Sequence, residues 1–279
     1  MAITIRKLAE MKRDGEKIPM VTAYDYTAAR IADAAGIPII LVGDSLGMVV
    51  LGYDSTVPVT MDDMVRHGRM VSRGSSEALV VVDLPFMSYQ VDAAEALRNA
   101  GRLMQEGGAH TVKMEGGVSI AGTVRRMVDA GVPVMGHIGL TPQSVNALGG
   151  YRVQGRTKAA ARRVLDDALA LQEAGAYSVV LECVPAPLAK VITERLTIPT
   201  IGIGAGPDCD GQVQVFHDML GLFPDFVPKH ARKYAELGSD MTRAFEWYAE
   251  DVRNGAFPSE AESFTMNERL LVELLGEES

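Results

Sequence analysis

What most constrains this chain is its rhythm: short β-branched apolar runs recur along it, each followed by a stretch with helical spacing. The runs at residues 20–23, 39–42, 79–82, 111–114, 132–136, 178–181 and 200–203 are apolar at odd and even positions alike. A strand wet on one face alternates, whereas one apolar throughout is covered on both faces, as in a parallel sheet wrapped by helices. An eighth strand is expected near Phe226 and Val227. Between the runs, Thr60 with Asp63 reads as a capping box ahead of Met64 and Val65. Asp92 with Glu95 opens a helix carrying Leu97, Ala100 and Met104, and Pro187 suits the first turn of one carrying Leu188, Val191 and Ile192. Gly36, Gly108, Gly131 and Gly175 each stop a helix just before the next run, the αβ half of a repeating unit. Repetition of that unit predicts an α/β fold, a (β/α)8 TIM barrel rather than an open doubly wound sheet. An N-terminal helix precedes it and extra helices follow.

The 279 residues, 47% hydrophobic, are enough for one large core, and no Ser/Pro-rich stretch or charge run divides them. A single domain over residues 1–279 is expected. The net charge of −9, with acids scattered along the chain, argues against a nucleic-acid partner. The first fifteen residues read as a charged amphipathic helix with Thr4 as N-cap, and lack the apolar core of a signal peptide. The apolar runs at 37–42 and 48–51 are too short to span a bilayer. Cys183 and Cys209 form no metal or redox spacing, so both are expected as free thiols of a cytoplasmic protein.

The chemistry concentrates where the runs end. Their C-terminal ends carry Asp25, Asp44, Asp83, Glu115, His137 and Glu182, and the seventh leads into Gly202-Ile203-Gly204-Ala205-Gly206. In a barrel these positions converge on one mouth, the place of active sites. Acids crowded there repel unless a cation or shared protons intervene. Asp44, Asp83 and Glu115 come from neighbouring units, and an all-oxygen set favours a hard cation such as Mg²⁺. Singly, each acid could equally cap the following helix. Lys113 shares a strand face with Glu115, either to hold a substrate carboxylate or to pair with the acids. Glu182 is a candidate acid or base, or one half of a buried salt bridge. His137 at the same mouth is a site residue or a satisfied core histidine. The glycines at 202, 204 and 206 lack dinucleotide or P-loop spacing and read as a phosphate cradle or simply a tight turn. Cys183 is expected to point away from Glu182 and pack.

At these same residues the chain resembles the ketopantoate hydroxymethyltransferase family. The matching segments are Thr22-Ala23-Tyr24-Asp25, Val42-Gly43-Asp44-Ser45-Leu46-Gly47, Asp83-Leu84-Pro85-Phe86, Val112-Lys113-Met114-Glu115-Gly116-Gly117, Gly136-His137-Ile138-Gly139-Leu140-Thr141-Pro142-Gln143 and the glycine run at 202–206. They occur in family order and extend to about Tyr234; Arg66, where an aromatic residue is expected, departs from the pattern. The resemblance implies a barrel of the phosphoenolpyruvate/pyruvate superfamily acting in pantothenate synthesis. It places metal ligands at Asp44, Asp83 and Glu115, and substrate contacts at Asp44, Ser45, Asp83 and Lys113. His137 is added to those contacts for its place at the mouth, and the acid/base role falls on Glu182. The implied reaction passes a one-carbon unit from 5,10-methylenetetrahydrofolate to 3-methyl-2-oxobutanoate through a Mg²⁺-stabilised enolate. Which of Glu182, His137 or a metal-bound water takes the C3 proton stays open.

Two other readings compete. A related lyase or mutase of the isocitrate-lyase kind would want a catalytic cysteine in a loop, a setting neither cysteine has. A non-catalytic metal-binding barrel conflicts with polar residues at so many strand ends. Beyond Gly238, apolar residues including Phe245, Trp247, Tyr248, Leu270, Leu271 and Leu274 lie on helical patterns that one barrel need not absorb. With the resemblance they imply a homo-oligomer, a decamer of stacked pentamers.

Overall fold

In the computed structural model, which describes residues 2–223 and 227–276, eight parallel strands close into a barrel in sequence order. They are β1 (Ile18–Thr22), β2 (Ile39–Val42), β3 (Leu79–Asp83), β4 (Thr111–Glu115), β5 (Val134–Gly139), β6 (Ser178–Glu182), β7 (Thr200–Ile203) and β8 (Gly211–Gln214). The double-sided apolar character of the runs follows from two separate cores. Ile39 and Leu41, Leu79 and Val81, Met135, Val180 and Ile201 fill the barrel interior. Their neighbours Ile40 and Val42, Val80 and Val82, Val112 and Met114, Val179 and Leu181 face the helices outside. The helix Ile5–Asp14, capped by Thr4, places Leu8 and Met11 in the interior cluster and plugs the N-terminal end of the barrel.

The expected capping box and N-caps hold. The Thr60 side chain accepts from the backbone N–H of Asp63 at the start of Met61–Gly74, and Asp92 caps Ala93–Gln105. On the helix Ala186–Arg195, Ile192 is buried, whereas Val191 is 39% exposed and takes no part in the predicted apolar face. Arg66 is exposed on its helix, so the departure from the family pattern meets solvent.

The eighth strand corrects the sequence reading. Phe226 lies outside the described residues, Val227 belongs to no strand, and β8 is Gly211–Gln214. Residues 204–210 hold no helix, and Gln212 on β8 is exposed. A strand left uncovered on its outer face keeps its glutamines, so it lacks the signature that revealed the others. Gly204 and Gly206, at φ 66° and 82°, take the left-handed backbone that turns the chain from β7 toward β8. At the far end, the helices Leu237–Asn254 and Glu268–Leu275 contain no buried residue. Phe245, Trp247 and Leu274 are 65%, 61% and 78% exposed. No helix among the described residues is long and apolar enough to cross a membrane.

Candidate active site

The pleat decides which side chains enter the mouth. On β3 the interior positions run Leu79, Val81, Asp83; on β4, in register, they run Thr111, Lys113, Glu115. Asp83 pairs with Lys113 and Glu115 with His137 across adjacent strands, and Glu182 pairs with Gly139. The last interior layer of the barrel is therefore polar, above layers of Leu, Ile, Met and Val. Asp44 stands one glycine past the end of β2, and its backbone N–H donates to Asp83 Oδ2 at 3.1 Å. Gly139, at φ 91°, lies where a Cβ would stand 2.3 Å from the Glu182 carbonyl. That approach lets the Leu140 N–H donate to the same carbonyl at 2.8 Å and draws the loop after β5 over the mouth.

Asp44, Asp83, Lys113, Glu115 and His137 are all buried. Lys113 Nζ lies 2.8 Å from Asp83 Oδ1. His137 Nδ1 stands 3.4 Å from Glu115 Oε1, and its Nε2 stands 3.1 Å from Glu182 Oε2. Ser45 Oγ shares a 2.9 Å hydrogen bond with the Tyr24 hydroxyl at the edge of this group. Asp25 does not join it: exposed, it accepts from the Ala28 N–H at 2.8 Å and caps the next helix. That is the alternative open to any Asp at a βα junction.

The electrostatics follow from the crowding. Burial, and then the charges of Asp83 and Glu115, push the Asp44 carboxyl well above the usual range, against the pull of Lys113 and Gln143. Burial also raises Asp83, opposed chiefly by Lys113. Burial works against the Lys113 charge, but Asp83, Glu115 and Asp44 outweigh it and hold the ammonium protonated. For His137, burial and Lys113 push down, while Glu115 and Glu182 prevail and lift it to about 9. Burial and the Glu182 charge push the Cys183 thiol up to about 11, so it is not a thiolate at neutral pH. It sits just past β6 at φ 49°, with Sγ 3.9 Å from His230 Nδ1.

The residues present suit a hard cation. Asp83 Oδ1 is buried with an ion-pair contact but no directed hydrogen bond. Asp44 engages a side-chain donor through Oδ2 alone. Among the described residues no three His, Cys, Asp or Glu side chains already form a ligand shell. Separate oxygens of that kind are what Mg²⁺ takes when it keeps waters and substrate oxygens among its ligands. Sequence reasoning passed over two buried members of the site, Tyr89 and Gln143, which bond to each other and to Asp44 and Glu115. Gln143 lies in a quoted segment, but its role could not be seen there.

The sequence profile of the ketopantoate hydroxymethyltransferases matches residues 2–260. The chain belongs to the ketopantoate hydroxymethyltransferase family. It is 62% identical over 276 residues to the 3-methyl-2-oxobutanoate hydroxymethyltransferase of Chloroflexus aurantiacus, covering 99% of this chain and 98% of that one. Identity to the enzyme of the same name from Dehalococcoides mccartyi is 60% over 274 residues, covering 98% of each. This family member is thus an enzyme, as its mouth chemistry predicts. Among solved structures, phosphonopyruvate hydrolase superposes with a TM-score of 0.62 at 13% identity, covering 99% of this chain and 95% of that one. A 2,3-dimethylmalate lyase, a member of the PEP mutase/isocitrate lyase superfamily, gives 0.60 at 17% with the same coverage. At such identities the likeness speaks for the barrel alone.

Proposed function

We propose that this enzyme transfers a hydroxymethyl group from 5,10-methylenetetrahydrofolate to 3-methyl-2-oxobutanoate, forming 2-dehydropantoate for pantothenate synthesis. The observation carrying the proposal is the polar layer itself: Asp44, Asp83 and Glu115 buried together beside a single ammonium. Those three carboxylates are the residues to hold one divalent cation, Mg²⁺. When bound, it acts as a Lewis acid that eases negative charge onto the keto oxygen of a 2-oxoacid. Lys113 offers the positive charge that attracts and orients the substrate carboxylate, with Asp44, Ser45, Asp83 and His137 around it. Glu182 is the residue to move the proton. Its side chain is 15% exposed, against 2% for Asp83 and 3% for Glu115, so it has the most open path to a substrate above the layer. His137, between Glu115 and Glu182, holds a proton on their shared side and keeps Glu182 aimed.

The full reading is of one cytoplasmic domain, a homo-oligomer assembled as a decamer, with the apolar residues of the C-terminal helices covered by other copies. Formation of 2-dehydropantoate from 3-methyl-2-oxobutanoate and methylenetetrahydrofolate, abolished by EDTA and restored by Mg²⁺, is the expected result. Turnover indifferent to EDTA would remove the cation, and turnover without folate would remove the one-carbon donor.

A further inference from the structure

Gln143 sits in a short 3-10 turn after β5 (Pro142–Ser144), 4% exposed, and reaches the ends of β2, β3 and β4 at once. Its backbone N–H donates to Glu115 Oε2 at 3.0 Å. Its side-chain Nε2 donates to Asp44 Oδ2 at 2.8 Å and to the Leu84 carbonyl at 2.9 Å. Its Oε1 accepts from the Tyr89 hydroxyl at 2.7 Å and from Gln90 Nε2 at 3.3 Å. Both N–H groups and both lone pairs of the amide are thus engaged, so the side chain has no idle orientation. Its sense is forced as well. The Leu84 carbonyl only accepts, so the nitrogen must face it, and the second N–H of that nitrogen meets Asp44. Turned over, the amide would set oxygen against the Leu84 carbonyl and the Asp44 carboxylate. Tyr89 completes the frame, accepting from the Glu115 N–H at 3.2 Å.

We infer that Gln143 is a positioning residue for the divalent cation, occupying Oδ2 of Asp44 so that this carboxylate offers only its other oxygen to the ion, while its backbone N–H and His137 fix the two oxygens of Glu115. This rests on the cation reading of Asp44, Asp83 and Glu115 proposed above. The consequence is selectivity. Mg²⁺ accepts few protein oxygens in a strict octahedron, whereas Ca²⁺ takes six to eight and welcomes carboxylates that bind through both oxygens. A bond that denies Asp44 its second oxygen favours the smaller ion. Release of that oxygen disfavours it.

The test is calorimetric titration of the substrate-free, full-length protein with Mg²⁺ and with Ca²⁺. Gln143→Met keeps the backbone N–H and approximate volume but removes the amide. Its Mg²⁺ dissociation constant should rise about 10- to 100-fold, or ~1.4–2.8 kcal/mol, and Ca²⁺ should weaken less, lowering the preference for Mg²⁺. Saturating Mg²⁺ should then recover much of kcat. Tyr89→Phe removes the hydroxyl that steadies both the amide and the Glu115 backbone, and should shift both quantities the same way, by a smaller factor. Should Gln143→Met fail to fold, Tyr89→Phe decides alone. Mg²⁺ affinity and Mg²⁺/Ca²⁺ preference within twofold of the parent, in the folded variants, would overturn the role. The underlying reading is checked apart, with Glu115→Gln: a parent protein that binds no divalent ion, or a Glu115→Gln variant that binds it normally, refutes the cation site itself. Loss in Glu115→Gln with no change at Gln143 refutes the positioning role alone.

Discussion

A lysine meets an aspartate at each end of the barrel, and the two pairs behave differently. At the N-terminal end, Lys12 Nζ lies 2.7 Å from Asp210 Oδ2 and also donates to the Thr193 carbonyl at 3.0 Å. The same carboxylate oxygen accepts from the Thr200 N–H at 2.8 Å and from the Thr200 hydroxyl at 3.1 Å. One cation, one anion and local donors balance there, and the pair ties the first helix to β7 and β8. At the mouth, Lys113 and Asp83 stand at nearly the same distance, 2.8 Å, but Asp44 and Glu115 press on the same ammonium. Charge is left over, and on top of burial it raises Asp44 instead of cancelling. A matched pair holds a fold together, whereas an acidic surplus in a buried layer is repulsive until something positive arrives.

The largest effect expected is at Glu182, the residue proposed to move the proton. Glu182→Gln should keep fold, metal binding and 2-oxoacid binding while turnover falls by about 10²–10⁴-fold. Exchange of the C3 proton of 3-methyl-2-oxobutanoate in D2O, followed by NMR without folate, divides the step. Exchange lost with turnover places Glu182 in C3 deprotonation; exchange retained places it at the one-carbon unit. Near-normal turnover removes it from the mechanism.

The two ion pairs can be set against each other directly. Asp210→Ala strips a partly buried pair of its acceptor and should cost about 1–3 kcal/mol of stability, read by urea denaturation, with activity per folded molecule kept. Asp83→Asn relieves repulsion as well as breaking a pair. The metal-free variant should therefore lose less stability than Asp210→Ala, while its response to Mg²⁺ disappears. Equal losses at both ends would erase the distinction.

A smaller effect lies in pH. Asp44 and His137 are both raised in the folded chain, so the native state binds more protons than the unfolded one. The stability they contribute is present at low pH and lost as pH rises, for His137 between its ordinary value near 6.5 and about 9. In EDTA, Tm should fall across that window by a few degrees, on the order of 1–2 kcal/mol. Saturating Mg²⁺ should flatten the slope, because a bound cation replaces the lost protons as the positive partner. A slope unchanged by Mg²⁺ would break the link between crowding and the cation.

Much of the mouth is legible in the sequence, because strand alternation is a strict rule. Once the runs at 79–82 and 111–114 are strands with apolar interiors, Asp83, Lys113 and Glu115 must share the interior face at one end. The same rule failed at Asp25, which lies beyond β1 and caps a helix. It failed again at β8, whose Gly-Gln-Val-Gln pattern carries no covered outer face. Tyr89 and Gln143 lie in no periodic element, so no spacing could mark them.

The order of covered strands and helices, and the gathering of acids at one end, were dictated locally, by side-chain periodicity and helix caps acting over a few residues. Which charges balance and which remain in surplus was decided only on closure of the barrel. Gln143 meets an aspartate 99 positions away, and Lys12 meets one 198 positions away. Closure brings such groups within hydrogen-bond reach in a medium of low dielectric, where a matched neighbour is stabilising and an unmatched one is costly. Local pattern carries no record of that sum, so the division between the balanced pair at one end and the acidic surplus at the other belongs to the tertiary structure.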